Sequence, residues 1–242
     1  MRGAFGWALE SIEPGLFAPR RDAGPSGLAD PPRPYVFRAR HLDGSTRRPG
    51  ESFHFDLHVF TADAGAIAAM ARACAEAARA GIGPGRGRAE MGEPEAEAVA
   101  IDLAVEGAPA RRVRVEFLSP TELKHEGRTV ERPGFGILLA RVRDRLSTLR
   151  TLYGEGPLEI DFAAMGARAA AVQMTGCELR REHAERRSRR TGQTHPLGGF
   201  TGWAEYEGEL AEFLPYLEAA RWTGVGRQAV WGKGEIALSH PK

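Results

Sequence analysis

The chain has 242 residues and a formal net charge of +1, from 33 Lys and Arg against 32 Asp and Glu. So even a balance excludes a globally basic polyanion binder, and a nucleic-acid surface has to come from local clustering of arginine. Hydrophobic residues make up 42%, enough for a real core, while two cysteines, Cys74 and Cys177, are too few for a disulfide framework or a zinc site. No apolar run reaches the ~20 residues needed to cross a bilayer, so a soluble cytoplasmic protein without a cofactor is the expectation.

In chain order, Phe5, Leu9 and Ile12 share one face of a short helix over Arg2–Ile12. Prolines and glycines without periodicity make 14–34 a loop. Alternating Phe53, Phe55, Leu57 and Val59 predict a half-buried strand over 53–60. Asp63 can cap an alanine-rich helix over Ala64–Ala80, with Ile67, Met70 and Cys74 as apolar anchors, and Gly81 to Arg88 stops it. Two strands, near 98–105 and 111–118, then close the first half. The second half opens with a helix over Phe135–Tyr153, whose Ile137, Leu138, Val142, Leu146 and Leu149 form an apolar stripe. A strand over 171–181 leads into an arginine-rich stretch, and another over 198–206 leaves it. A helix over 209–221 carries Leu210, Phe213, Leu214 and Leu217, and a glycine-rich segment precedes a last strand through Leu238.

The two halves repeat one order of elements. A strand at Phe53 leads through a helix to Gly81-Ile-Gly83, and a strand at Phe200 leads through a helix to Gly224-Val-Gly226. This duplication predicts an α+β chain of two tandem ferredoxin-like (RRM-like) domains with antiparallel sheets, divided as 1–130 and 131–242. The first domain starts in a helix and not a strand, so its opening strand is expected to be missing and its sheet to expose a pairing edge.

Six arginines against two glutamates fill 180–190: Arg180, Arg181, Arg186, Arg187, Arg189 and Arg190. Lying between two predicted strands, they suit a projecting hairpin whose guanidinium forks grip phosphates and stack on bases; a solvated charged loop is the other reading. Gly224, Gly226, Gly232 and Gly234 let backbone approach a phosphate, with Arg227 and Lys233 adding charge, or simply make tight turns. The segment is neither a Walker loop nor a dinucleotide fingerprint. Among seven histidines, His183 and His195 flank the basic hairpin and are the candidate catalytic pair. His54 and His58 read as structural or exposed strand residues, and His41, His125 and His240 fall in loop-like stretches or the tail.

The segments Gly198-Gly-Phe-Thr-Gly-Trp-Ala-Glu-Tyr-Glu-Gly208, Phe213-Leu-Pro-Tyr-Leu217 and Gly224-Val-Gly-Arg-Gln-Ala-Val-Trp-Gly-Lys-Gly234 resemble the C-terminal region of the Cas6 repeat-processing endoribonucleases of the RAMP superfamily. Arg2 to Leu9, Pro34 to Arg38, Pro49 to Phe53, Gly81 to Gly87 and Phe117 to Lys124 also resemble that family, in order along the chain. The resemblance implies two ferredoxin-like domains and CRISPR repeat RNA as the partner, with other effector-complex subunits beside it and a monomer or homodimer as the assembly. It further implies metal-independent cleavage, in which the ribose 2′-hydroxyl attacks the adjacent phosphate to leave a 2′,3′-cyclic phosphate. The glycine loop would map onto Gly224, Gly226, Gly232 and Gly234, with Arg227 and Lys233 as phosphate contacts. Many members carry a catalytic histidine just after the first helix; here Leu9 to Arg20 has none. A non-catalytic RNA-binding subunit of a CRISPR complex is therefore the alternative, and an RNA-binding module of the stacking-sheet type ranks last.

Overall fold

The computed structural model describes residues 1–19, 31–105, 110–182, 185–187, 194–196 and 198–240. Helices α1 (Arg2–Ile12) and α2 (Pro14–Phe17) come first, followed by strands β1 (Tyr35–Arg38) and β2 (Asp56–Val59) and helix α3 (Ala64–Ala80). Strand β3 (Arg112–Thr121), the short β4 (Lys124–His125) and β5 (Arg128–Thr129), and helices α4 (Phe135–Tyr153) and α5 (Phe162–Ala170) follow. The chain continues through β6 (Gln173–Glu182), β7 (Glu185–Arg187), β8 (Thr194–Pro196) and β9 (Gly199–Glu207), and ends with α6 (Leu214–Thr223) and β10 (Ile236–Ser239). Among the described residues no helix is long and apolar enough to cross a membrane.

Two compact units result. One comprises Met1–Tyr35, Leu57–Ala100 and Ser147–Pro157, the other Val36–Asp56, Ile101–Leu146 and Leu158–Lys242. In the first, α1 buries Phe5, Ala8 and Leu9, and α3 buries Ala66, Ala69, Met70, Ala73, Ala77 and Ala78. Alanine dominates the α3 face because small side chains let two helices approach closely. Ile67, expected as an anchor, is 42% exposed instead. The Asp63 cap forms as expected, its Oδ1 accepting from the Ala66 amide at 2.6 Å. Gly81 ends the helix at φ +106.

The second unit holds a four-stranded antiparallel sheet in the order β10-β3-β9-β6. In chain order these strands are first β3, second β6, third β9 and fourth β10, so the sheet runs fourth-first-third-second around two crossover helices, α4 and α6. That is the ferredoxin-like arrangement. One face is apolar by simple alternation: Val113, Val115 and Phe117 of β3 and Ala204 and Tyr206 of β9 pack with Leu138, Leu139 and Val142 of α4 and Leu217 and Ala220 of α6.

Several expected elements differ. The strand expected at 111–118 forms as β3, but as the first strand of the four-stranded sheet and not the closing strand of the first half. Residues 98–105 form no strand: Val99, Ile101 and Val105 alternate correctly yet stand 43%, 38% and 58% exposed. Alternation describes a half-buried surface but supplies no partner edge. The helix expected from 209 begins at Leu214, because Pro215 fits only in a first turn. Leu210 and Phe213 are still buried, in the preceding turns. The strand expected over 53–60 is limited to β2, and 14–34, expected as loop throughout, contains α2. Strand β1 and helix α5 had no predicted counterpart.

Candidate functional site

At the end of α6 the chain turns through Gly224 to Gly234. The Val225 amide donates to the Gly234 carbonyl at 2.9 Å, the Arg227 amide to the Glu122 carbonyl at 3.0 Å, and the Gly234 amide to the Pro120 carbonyl at 3.2 Å. The loop therefore lies on the chain leaving β3. A Cβ on Gly226 would sit 2.4 Å from the Glu122 carbonyl oxygen, and one on Gly234 would sit 1.8 Å from that of Val225. Both residues have positive φ, +79 and +66. Backbone packed on backbone requires glycine at these two positions. Lys233 is half-buried, and Arg227 is exposed but its Nη1 bonds the Glu122 carboxylate at 3.0 Å.

Three arginines surround this loop. Arg38, at the end of β1, is 9% exposed, and its Nη2 donates to the Arg221 and Trp222 carbonyls at 2.8 and 3.0 Å. Arg145 of α4 donates from Nε to the Thr223 carbonyl at 2.9 Å. Together they satisfy the last three carbonyls of α6, which a helix end leaves without intrahelical partners. Arg40 lies 3.7 Å from the Glu235 carboxylate. Burial lowers the pKa of Arg38, against the supporting charge of Glu235. Burial first, and the Arg38 charge second, bring the Arg145 guanidinium down to about 10. Next to Arg40, His41 stacks on the His54 ring with centroids 4.8 Å apart, its Nε2 2.8 Å from the His54 carbonyl oxygen. A carbonyl only accepts, so Nε2 carries the proton in the neutral ring and Nδ1 keeps the lone pair.

The basic hairpin starts at the same end of the sheet. Thr121, beside the glycine loop, pairs with Phe200 of β9, and Phe200 pairs with Arg181 of β6. Two strand spacings, about 10 Å, separate the loop's support from the root of the hairpin. Arg180 is exposed, whereas Arg181 is held by Glu131 at 2.9 Å. Strands β7 and β8 continue the hairpin, with Arg186 opposite His195 and Arg187 opposite Thr194. His183, Arg189 and Arg190 lie outside the described residues.

Arg38, Arg145, Glu122, Glu235 and His41 had no place in the sequence-derived site. A signal was there for two of them. Arg38 interrupts the apolar run Tyr35-Val-Phe37, and Arg145 falls on the stripe of Leu138, Val142 and Leu149 at helical spacing.

An antiparallel sheet in this order, with a glycine turn and a basic hairpin at one end, defines a ferredoxin-like α+β protein. Residues 115–236 match the family described as CRISPR-associated endoribonuclease Cas6, and residues 1–114 match a family described as an N-terminal domain. The chain belongs to the Cas6 family. The Thermus thermophilus Cas6 TTHB231 product complex is 20% identical, with a TM-score of 0.65 over 98% of this chain and 91% of that one. The Cas6 TTHA0078 product complex is 21% identical, with a TM-score of 0.57 over 98% and 91%. These likenesses span the two-domain ferredoxin-like fold. No curated protein sequence matches the chain.

Proposed function

We propose that this chain binds CRISPR repeat RNA at the end of the sheet shared by the glycine loop and the basic hairpin, and cuts it there. Family membership supports the substrate class. The observation that supports the location is the Thr121–Phe200–Arg181 row, because the strand end that carries the glycine loop and the root of the hairpin are paired through Phe200. Arg180, Arg181, Arg186, Arg187, Arg189 and Arg190 would grip phosphates along the hairpin. Gly224, Gly226, Arg227, Gly232, Lys233 and Gly234 would receive the chain at the loop.

The chemistry is transesterification without a metal. A base takes the proton of the 2′-hydroxyl, the oxygen attacks the adjacent phosphorus, and an acid protonates the departing 5′-oxygen, giving a 2′,3′-cyclic phosphate and a 5′-hydroxyl. Guanidinium groups balance the charge that develops on the phosphate oxygens. His195 and His183 are the proposed acid and base on the hairpin side. His41 is a second candidate, because Nδ1 is the acceptor nitrogen of its neutral ring and Arg40 stands next to it.

A labelled repeat RNA incubated with the protein in EDTA tests this reading. Cleavage to a cyclic-phosphate end supports it, and tight binding with no cleavage would instead mark a structural subunit. Alanine at the true acid or base should slow cleavage by about 10²–10⁴-fold; unchanged rates for His41, His183 and His195 variants would remove all three from the mechanism. In place of the division expected at 1–130 and 131–242, the proposed boundary lies before Arg112, because β3 belongs to the four-stranded sheet. Limited proteolysis would locate it.

A further inference from the structure

Both ends of the glycine loop are tied to one arginine cluster. At its start, Arg38 and Arg145 hold the carbonyls of Arg221, Trp222 and Thr223. At its end, Glu235 follows Gly234 directly and meets Arg40 at 3.7 Å. The amide of that same Glu235 is bound by the Ser119 hydroxyl at 2.9 Å, and its carbonyl accepts from the Leu118 amide at 2.8 Å. Arg38 and Arg40 lie on the segment that continues directly into His41.

This cluster is costly. Two guanidinium groups are close enough to repel, and no carboxylate hydrogen-bonds to either of them among the described residues. Among the described residues Arg38 Nη1 and Arg145 Nη2 are buried without a hydrogen-bond partner. Hydrophobic residues of similar volume would commonly pack such a site with no loss of stability. The helix-end carbonyls and the Glu235 charge offset part of the cost. An arrangement that stability alone does not demand points to position as its purpose.

We infer that Arg38 and Arg145 are positioning residues, which fix the glycine loop in register with the Arg40–His41 segment and do not themselves contact RNA. The inference rests on the proposed function for its consequence but not for its geometry. Arg38 brings the loop's start and His41 onto one strand end, and Arg145 anchors the same helix terminus to α4. Release of either lets α6 and the loop shift while the exposed Arg180 and Arg181 at the root of the hairpin remain where they are.

The test uses the full chain with Arg38→Gln and Arg145→Gln. Hydrogen exchange should show the Val225 and Arg227 amides losing protection by about tenfold or more, with strands β3 and β9 unchanged. Single-turnover cleavage of repeat RNA should slow by about 10- to 100-fold while Kd stays within about threefold. Arg145→Lys should recover much of the rate, since one donor reaches one carbonyl. Arg38→Lys should not, because its fork spans two. Unchanged loop exchange overturns the inference, and so does a weakened Kd with a shallower salt dependence, which would make these residues RNA contacts. If the wild-type protein neither binds nor cuts the RNA, the functional proposal fails and exchange alone decides the clamp. Should either glutamine variant not fold, the charge-keeping Arg38→Lys and Arg145→Lys decide by the same exchange measurement: lost protection at Val225 and Arg227 is expected for the first and overturns the inference if it is absent.

Discussion

Arg227 is bound twice to Glu122: its amide donates to the Glu122 carbonyl at 3.0 Å, and its Nη1 to the Glu122 carboxylate, also at 3.0 Å. The first contact sets the loop on the chain leaving β3. The second ties up a cation that the proposed function assigns to phosphate.

Glu122→Gln separates the two. The carbonyl contact survives, and the guanidinium loses its anionic partner. RNA affinity should rise about two- to fivefold at low salt, and the slope of log K against log salt should steepen by about 0.7 for the one phosphate gained. Filter binding across a salt series measures both. An unchanged slope would mean that Arg227 never reaches RNA.

Gly234→Ala should be severe. Its Cβ would have to occupy space 1.8 Å from the Val225 carbonyl oxygen, at φ +66, so backbone has to move. A loss of more than about 2 kcal/mol is expected, read as a lowered Tm. Gly92→Ala is the control: nothing lies within 4 Å of that Cβ, and stability should change by less than about 0.5 kcal/mol.

Stability should fall on the alkaline side. Burial raises the hydroxyls of Tyr35 and Tyr153 to about 12 each and also raises that of Tyr206, whose hydroxyl donates to the Pro133 carbonyl at 2.7 Å. Unfolded tyrosine ionises near pH ~10, so between 10 and 12 the folded state keeps protons that the unfolded state has lost. The contribution is complete below pH 10 and disappears as pH climbs to 12. Melting curves from pH 8 to 11.5 would show it. Tyr153→Phe should flatten that limb, at a cost of about 1 kcal/mol at pH 8 for the bond to the Pro32 carbonyl.

Trp203 separates this surface from a stacking sheet. The Arg114 guanidinium lies 4.2 Å from its ring centroid and is itself bonded to Glu205 at 3.1 Å. An indole already covered by an ion-paired guanidinium is a poor platform for a base. Trp203→Ala should leave RNA affinity within about threefold, whereas removing a stacked base partner commonly costs 1–3 kcal/mol, roughly 5- to 150-fold.

Local chemistry settled much of this protein in its sequence. The ends of α1, α3 and α4 follow from period and from caps such as Asp63, and Gly81 and Gly224 mark where α3 and α6 stop, both at positive φ. The family pattern from Gly198 to Gly234 was equally legible, because turns and glycine requirements are written within a few residues. The tertiary structure alone decided which edges the strands took. The alternation at 98–105 and at 112–121 looks alike, yet only the second found partners, in β9 and β10. A period of two reports a half-buried face and says nothing of the strand beside it. The clamp was hidden for the same reason: Arg38 finds its acceptors 183 and 184 positions away, at a helix end whose free carbonyls matter only once the chain has folded around them.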